Sequence, residues 1–232
     1  ITGDVNFTIK KNHNELKGNC YETYTLEKGD ELNITSTNKS VYGYLALSGE
    51  LDLKYQWSSC SINTKARIGS NSGKKLQNNQ ELTVSKISLN LNSKKLNYIN
   101  TKIERIRIIK GTNFDYFSEK GKKDLFEKEF TISKLTDRMG MRIEGQKIEN
   151  IADKNIKSEG LIKGTIQVPP DGNPIIMLSD HGTIGGYPKI AVVISADYDR
   201  LAQLTPGSKI KFKEVELSSA ESLFKLYELQ CY

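Results

Sequence analysis

Apolar and polar positions alternate with a period of two along much of the chain. In "SKIKFKEV" (208–215), Ile210 and Phe212 alternate with Lys209, Lys211 and Lys213. In "LIKGTIQV" (161–168), Ile162, Gly164, Ile166 and Val168 share one face, while Lys163, Thr165 and Gln167 share the other. Both patterns predict half-buried strands. A polar turn followed by an alternating strand recurs at "EKGDELNI" (27–34), "NNQELTV" (78–84) and "TPGSKIKF" (205–212). This spacing suits barrel-like antiparallel sheets better than βαβ units joined by long helices.

Helical signals are few. "SADYDRLAQL" (195–204) offers Ser195 or Asp197 as an N-cap. "SSAESLFKLYEL" (218–229) offers Ser218 or Ser219, with Leu223, Leu226 and Leu229 as a stripe expected to pack on the barrel. "FDYFSEKGKKDLFEKEF" (114–130) adds a turn or two. The stretch 85–101 is rich in Asn, Ser and Lys with weak alternation, which places a domain seam near residue 102 and divides the chain into 1–102 and 103–232.

Composition narrows the classes. At 232 residues, 37% hydrophobic and 27% charged, the chain is long enough for two small cores and is globular in character. Its longest apolar run, "IAVVISA" (190–196), is far short of a membrane span, and no signal-like segment opens the chain. Ile1 in first position reads as the product of processing or trimming. Cys20, Cys60 and Cys231 are widely spaced without a CxxC pair, which fits free thiols in the cytosol. His13 and His181 lie far apart, so a zinc site has no support. The net charge of +6 is spread among acids rather than gathered in a stripe, which argues against nucleic acid.

Among the motifs, "GSNSGKKL" (69–76) imitates a phosphate loop. However, it has three residues between its glycines instead of four, and Lys75 stands where a hydroxyl is needed, so it reads as a lysine-rich turn. No Ser/His/Asp triad or spaced carboxylate pair emerges. "IQVPPDGNPIIMLSDHGTIGGYPKIAVVISAD" (166–197) is more informative. Pro169-Pro170-Asp171-Gly172 makes one tight connection, and Gly185-Gly186 lets a second pass close to another surface. Gln167, Asp171, Asp180, Thr183 and Tyr187 gather on these connections, where ligand groups tend to sit. Upstream, "SKLTDRMGMRIEG" (133–145) carries Arg138 and Arg142, forks able to grip a carboxylate or phosphate, with Asp137 beside them as a surface partner for Arg138.

"TDRMGMRIEG" (136–145) and "SEGLIKGTIQVPPDGNPIIMLSDHGTIGGYPKIAVVISADYDRLAQLTPGSKIKF" (158–212) resemble the allophanate hydrolase subunit 2 family, also called the KipI antagonist family or the 5-oxoprolinase C-subunit family. It is related to half of the carboxyltransferase domain of urea carboxylase. "IRIIKG" (106–111), "GYLALSGELD" (43–52) and "ITGD" (1–4) extend the likeness over nearly the whole chain. The resemblance implies a mainly β protein of two barrel-like, cyclophilin-like domains with few short helices. The first barrel would lack strands without the N-terminal segment usual in the family.

It also implies a cytoplasmic component of an ATP-dependent amide- or lactam-processing enzyme of the 5-oxoprolinase type, turning 5-oxoproline into glutamate with a KipI-like B-type partner and an A-type partner. ATP is then handled with the partner, and this chain carries no metal site. Arg138 and Arg142 would face a phosphate, and the Gly185-Gly186 backbone with Thr183 a developing oxyanion. The alternatives are a regulatory protein that sequesters a KipI-like kinase inhibitor, a biotin-using carboxyltransferase component of a urea carboxylase or allophanate hydrolase-like system, and a fragment that has lost activity. Two local departures weaken the carry-over of contacts: Cys60 in "SSCSI" (58–62) replaces a usual arginine, and Gly182 in "DHGT" (180–183) replaces a usual glutamine.

Overall fold

Alternation becomes strand where one face finds a core. The computed structural model describes residues 1–12, 14–87, 95, 103, 105–151 and 156–231. The chain divides into two units, Ile1–Ser36 with Gly43–Tyr98 and Thr37–Tyr42 with Ile99–Tyr232. The seam expected near residue 102 lies outside the described residues.

In the first unit, β1 (Val5–Lys11) buries Val5, Phe7 and Ile9 on one face. It is flanked by β2 (Asn14–Lys17) and β3 (Glu31–Thr37) in a three-stranded sheet. β4 (Glu50–Leu51) and β5 (Val84–Ser85) form a two-stranded pair. The expected strand at 78–84 thus shortens to its end.

The second unit holds a closed seven-stranded barrel, and the chain is mainly β, with three α-helices among the described residues. Its strands are β6 (Arg105–Lys110), β7 (Phe130–Ile132), β8 (Gly140–Gly145), β10 (Thr165–Gln167), β11 (Ile175–Met177), β13 (Lys189–Val193) and β14 (Lys209–Glu214). They follow one another around the wall as β10-β11-β8-β7-β14-β6-β13. Neighbours are antiparallel except β14 and β6, which run parallel. The alternation in β14 appears as expected, with Ile210 and Phe212 inside and the lysines outside. Ile106, Ile108, Phe130, Met141, Ile166, Ile176 and Ile190 fill the interior with them. Two further short strands, β9 (Glu159–Gly160) and β12 (Ile184–Gly185), pair only with each other among the described residues and form a ribbon outside the barrel sheet.

α-Helices pack on the barrel wall. α1 (Glu119–Glu127) is capped by Ser118, whose Oγ accepts from the Gly121 N–H at 3.0 Å. α2 (Ser195–Ala202) begins after Ile194 without a side-chain cap. Neither Ser195 nor Asp197 serves as the N-cap: Ser195 is already the first helical residue, and the Asp197 carboxylate is used elsewhere. Fully buried in the first helical turn, it accepts from the Arg107 backbone N–H at 2.8 Å and Nε at 2.9 Å, and it also pairs with Nη2. The hydrogen bonds to Asp197 raise the Arg107 pKa above its ordinary value.

α3 (Leu217–Cys231) packs through Ala220, Leu223 and Tyr227 against Ile109, Ile194 and Val215. Leu226 and Leu229 of the expected stripe are instead exposed. Residues three and four apart meet on one helix face, and here that face runs through Ala220, Leu223 and Tyr227, so only Leu223 of the three leucines lies on it.

Replacing Asp197 by Asn should destabilise the fold by roughly 3 kcal/mol, because it strands a partly buried guanidinium. Urea denaturation would show this as a lower midpoint at an unchanged slope.

Candidate functional site on the barrel wall

Strand pairing lines up four residues across the wall. Arg142 on β8 lies opposite Ile175 on β11, Ile175 opposite Gln167 on β10, and Gln167 opposite Lys189 on β13, where a bulge shifts the register. Their sequence neighbours Met141, Ile143, Ile166, Ile176 and Ile190 are in the barrel core, so alternation turns this row outward. Arg142 is exposed to solvent. Gln167 and Lys189 are only 4% and 7% exposed, because the ribbon of β9 and β12 covers them.

The cover follows from the loop that opens at Leu178. Its first residues are tied to the turn before β8, with the Leu178 N–H donating to the Met139 carbonyl at 3.0 Å and the Asp180 N–H to the Arg138 carbonyl at 2.9 Å. Thr183, itself exposed, then accepts from the Leu161 N–H at 2.9 Å. Gln167 Nε2 donates to the Tyr187 carbonyl at 2.9 Å, and the Val168 N–H to the Pro188 carbonyl at 3.0 Å. The two glycines differ in role. A Cβ on Gly185 would lie 2.8 Å from Leu161 Cδ1 and 2.9 Å from Gln167 Nε2, whereas one on Gly186 would meet nothing nearer than the Ile156 carbonyl at 3.4 Å. The close approach belongs to Gly185 alone.

Beneath this ribbon lies a polar cluster that sequence reasoning missed. Lys189 Nζ pairs with the Glu159 carboxylate and lies 3.4 Å from the Gly160 carbonyl. Asn113 Oδ1 accepts from the Lys189 N–H at 2.9 Å, and the Asn113 side chain favours the charged form of Glu159. Lys189, first, and then Asn113 hold the Glu159 carboxyl below its usual range despite the opposing effect of burial. Only one signal pointed to this cluster: a lysine at the head of an otherwise unbroken apolar strand, "KIAVVI" (189–194).

The remaining expected residues separate into two places. At the Gly140–Met177 end of β8 and β11, Arg138 forms a two-pronged pair with Asp180, Nε to Oδ2 at 2.9 Å and Nη2 to Oδ1 at 3.1 Å. Its fork is already filled, and Asp137 caps the turn by accepting from the Met139 and Gly140 N–H groups at 2.8 and 3.2 Å. At the opposite end, Asp171 borders an open cleft of about 320 Å³ lined by Lys147, Ile148, Val168, Pro169, Pro170 and Pro188. Asp171 accepts from the Asn173 N–H and Nδ2 at 3.0 and 3.1 Å, and with the positive charges of Lys147 and Arg142 these bonds lower its pKa.

In the first unit, the stretch resembling a phosphate loop packs on its own surroundings. A Cβ at Gly69 would sit 1.9 Å from the Ser61 carbonyl, and one at Gly73 would sit 2.1 Å from the Arg67 carbonyl carbon. Among the described residues, no three His, Cys, Asp or Glu side chains group as metal ligands. Cys20 and Cys60 are free thiols, and no described helix is long and apolar enough to cross a membrane.

The fold, with its barrel and outer ribbon, is one found inside much larger chains: urea amidolyase of Kluyveromyces lactis superposes with a TM-score of 0.82 at 22% identity, covering 99% of this chain and 15% of that one. Residues 1–214 match the family described as carboxyltransferase domain, subdomain A and B, and the chain belongs to that family. It is 34% identical over 210 residues to the C subunit of 5-oxoprolinase from Haemophilus influenzae, covering 90% of this chain and 68% of that protein. It is 31% identical over 199 residues to the Escherichia coli protein of the same name, covering 84% and 63%. The match thus spans about two thirds of these relatives' length.

Gly185→Ala should cost about 1–3 kcal/mol through overpacking against Gln167, whereas Gly186→Ala should stay within about 0.5 kcal/mol of the parent. Thermal melts of the two variants would check the contrast. Because the Glu159 pKa is depressed, its contribution is complete above the ordinary carboxyl value of 4.5 and is lost as pH falls through the lower folded value. Amide exchange at Leu161, followed as a function of pH, should report loosening only on that acid side.

Proposed function

We propose that the chain is the C-type component of an ATP-dependent, 5-oxoprolinase-type complex that opens a small lactam, working with B- and A-type partners. The observation that carries this reading is the 34% identity to a 5-oxoprolinase C subunit across 90% of the chain, through both the arginine-bearing turn and the Gly185 loop. Hydrolysing a lactam breaks the ring C–N bond and adds water across it. Activating its carbonyl by phosphoryl transfer calls for a cation beside the phosphate and donors at the developing oxyanion.

Arg142 takes the cationic role here, since its guanidinium is exposed on the wall in the same row as Gln167, while Arg138 is engaged by Asp180. Arg138 and Asp180 hold the start of the loop. Gly185, Gly186, Thr183 and Tyr187 form the edge that a ligand or partner meets, beside the cleft at Asp171. The glycine-rich stretch 69–76 does not fit a nucleotide phosphate, so ATP is assigned to the B-type partner.

Combining the chain with B- and A-type partners should give 5-oxoproline-dependent ATP turnover. Arg142→Ala should lower it about 100-fold, with Arg138→Ala weakening it less. Tight association with a KipI-like partner and no turnover would instead favour a regulatory role.

A further inference from the structure

The Lys189 cluster is asymmetric in a way that an ordinary structural ion pair is not. Lys189 and Asn113 are buried and locked into the barrel. Asn113, 4% exposed, accepts from the Lys189 N–H, and its own N–H donates to the Lys189 carbonyl at 3.2 Å. Behind them, Gly111 lies so close that a Cβ would sit 2.3 Å from the Lys189 carbonyl. The acceptor differs on every count. The Glu159 side chain is 41% exposed, and it sits on the two-residue strand β9, which pairs only with β12 among the described residues. Next to it, Gly160 has open space where a side chain would project. The cradle belongs to the barrel, and its occupant belongs to the ribbon.

Lifting β9 alone would leave a buried ammonium without its counter-charge, which is strongly unfavourable. Exchanging one carboxylate for another keeps both the charge and the charge-assisted hydrogen bonds, and it releases Glu159 to water. A neutral ligand cannot make that exchange, and a phosphate dianion would bring more charge than one ammonium balances. We propose that Lys189 and Asn113 form a subsite for the carboxylate of a small acidic ligand, with Glu159 as its resting occupant and ligand binding coupled to release of the β9 ribbon. The inference rests on reading this rim as a ligand-binding edge. It does not depend on lactam chemistry or on ATP.

Acetate is the probe, compared with chloride and acetamide at matched concentration and, for the salts, matched ionic strength. Readouts are the melting temperature and the exchange rate of the Leu161 amide, which bonds the ribbon. In Glu159→Ala, acetate should restore melting temperature and Leu161 protection, whereas acetamide and chloride should not, and the double variant Glu159→Ala/Lys189→Met should not respond. In the parent chain, acetate should accelerate Leu161 exchange. If Glu159→Ala fails to fold, Glu159→Gln serves, with the acetate effect appearing at about tenfold lower concentration than in the parent. Acetate acting no better than chloride in both variants would overturn the subsite. If acetate fills the cradle but the assembled complex shows no 5-oxoproline-dependent turnover, the lactam assignment falls and the subsite stands. Turnover without any acetate effect would sink the subsite and leave the lactam assignment in place.

Discussion

The buried Asp197 carboxylate anchors the strand at which the barrel wall changes direction. β6 has a parallel neighbour, β14, on one side and an antiparallel neighbour, β13, on the other, so it is where the two directions of the wall are reconciled. At Arg107 the strand's N–H donates to Asp197 and its carbonyl accepts from the Ile194 N–H at 3.1 Å, just where β13 gives way to α2. One side chain thus satisfies a strand donor, neutralises a guanidinium and sits at the positive end of a helix. Because β13 also carries Lys189 at its other end, the geometry of the cradle is set by the same strand that this contact anchors.

The wall of the barrel acquires chemistry by being covered. An alternating strand ordinarily shows its polar face to water, yet Gln167 and Lys189 are sealed beneath β9 and β12 while their neighbours fill the core. Sealing a polar face requires partners for each buried group. Here the ribbon and loop provide them, through the Tyr187 carbonyl and the Glu159 carboxylate. The glycine at 185 lets the loop lie directly on the Gln167 amide.

What was legible in the sequence follows from how local each cause is. β14 was readable because its alternation is answered by a single core, with lysines free to face solvent. In 161–168 the apolar assignment holds for Ile166 and Val168 but fails for Ile162, which is 62% exposed, and the polar face proves buried at Thr165 and Gln167. The Gln167 burial comes from a loop about twenty residues away in sequence, which no local pattern encodes. The α3 stripe holds at Leu223 but fails at Leu226 and Leu229 for the same reason, since Ile194 and Val215 decide which helix face is covered. The Pro169–Gly172 turn and the Gly185 loop were visible from their residue types. The partnership of Lys189 with Asn113 and Glu159 was not, because it joins three segments that are distant in the chain.

Residues Thr37–Tyr42 have a consequence for genetic dissection of the chain. They belong to the second unit, where the Tyr42 N–H donates to Gln203 Oε1 at 2.8 Å and Gln203 Nε2 donates back to the Tyr42 carbonyl at 3.2 Å. The second unit is therefore discontinuous in the gene, and the sequence 43–98 is in effect an insertion between its pieces. Any truncation that starts after that insertion discards a native strap and leaves the Gln203 amide to water. A faithful excision would instead splice the 37–42 segment to the barrel through a short linker.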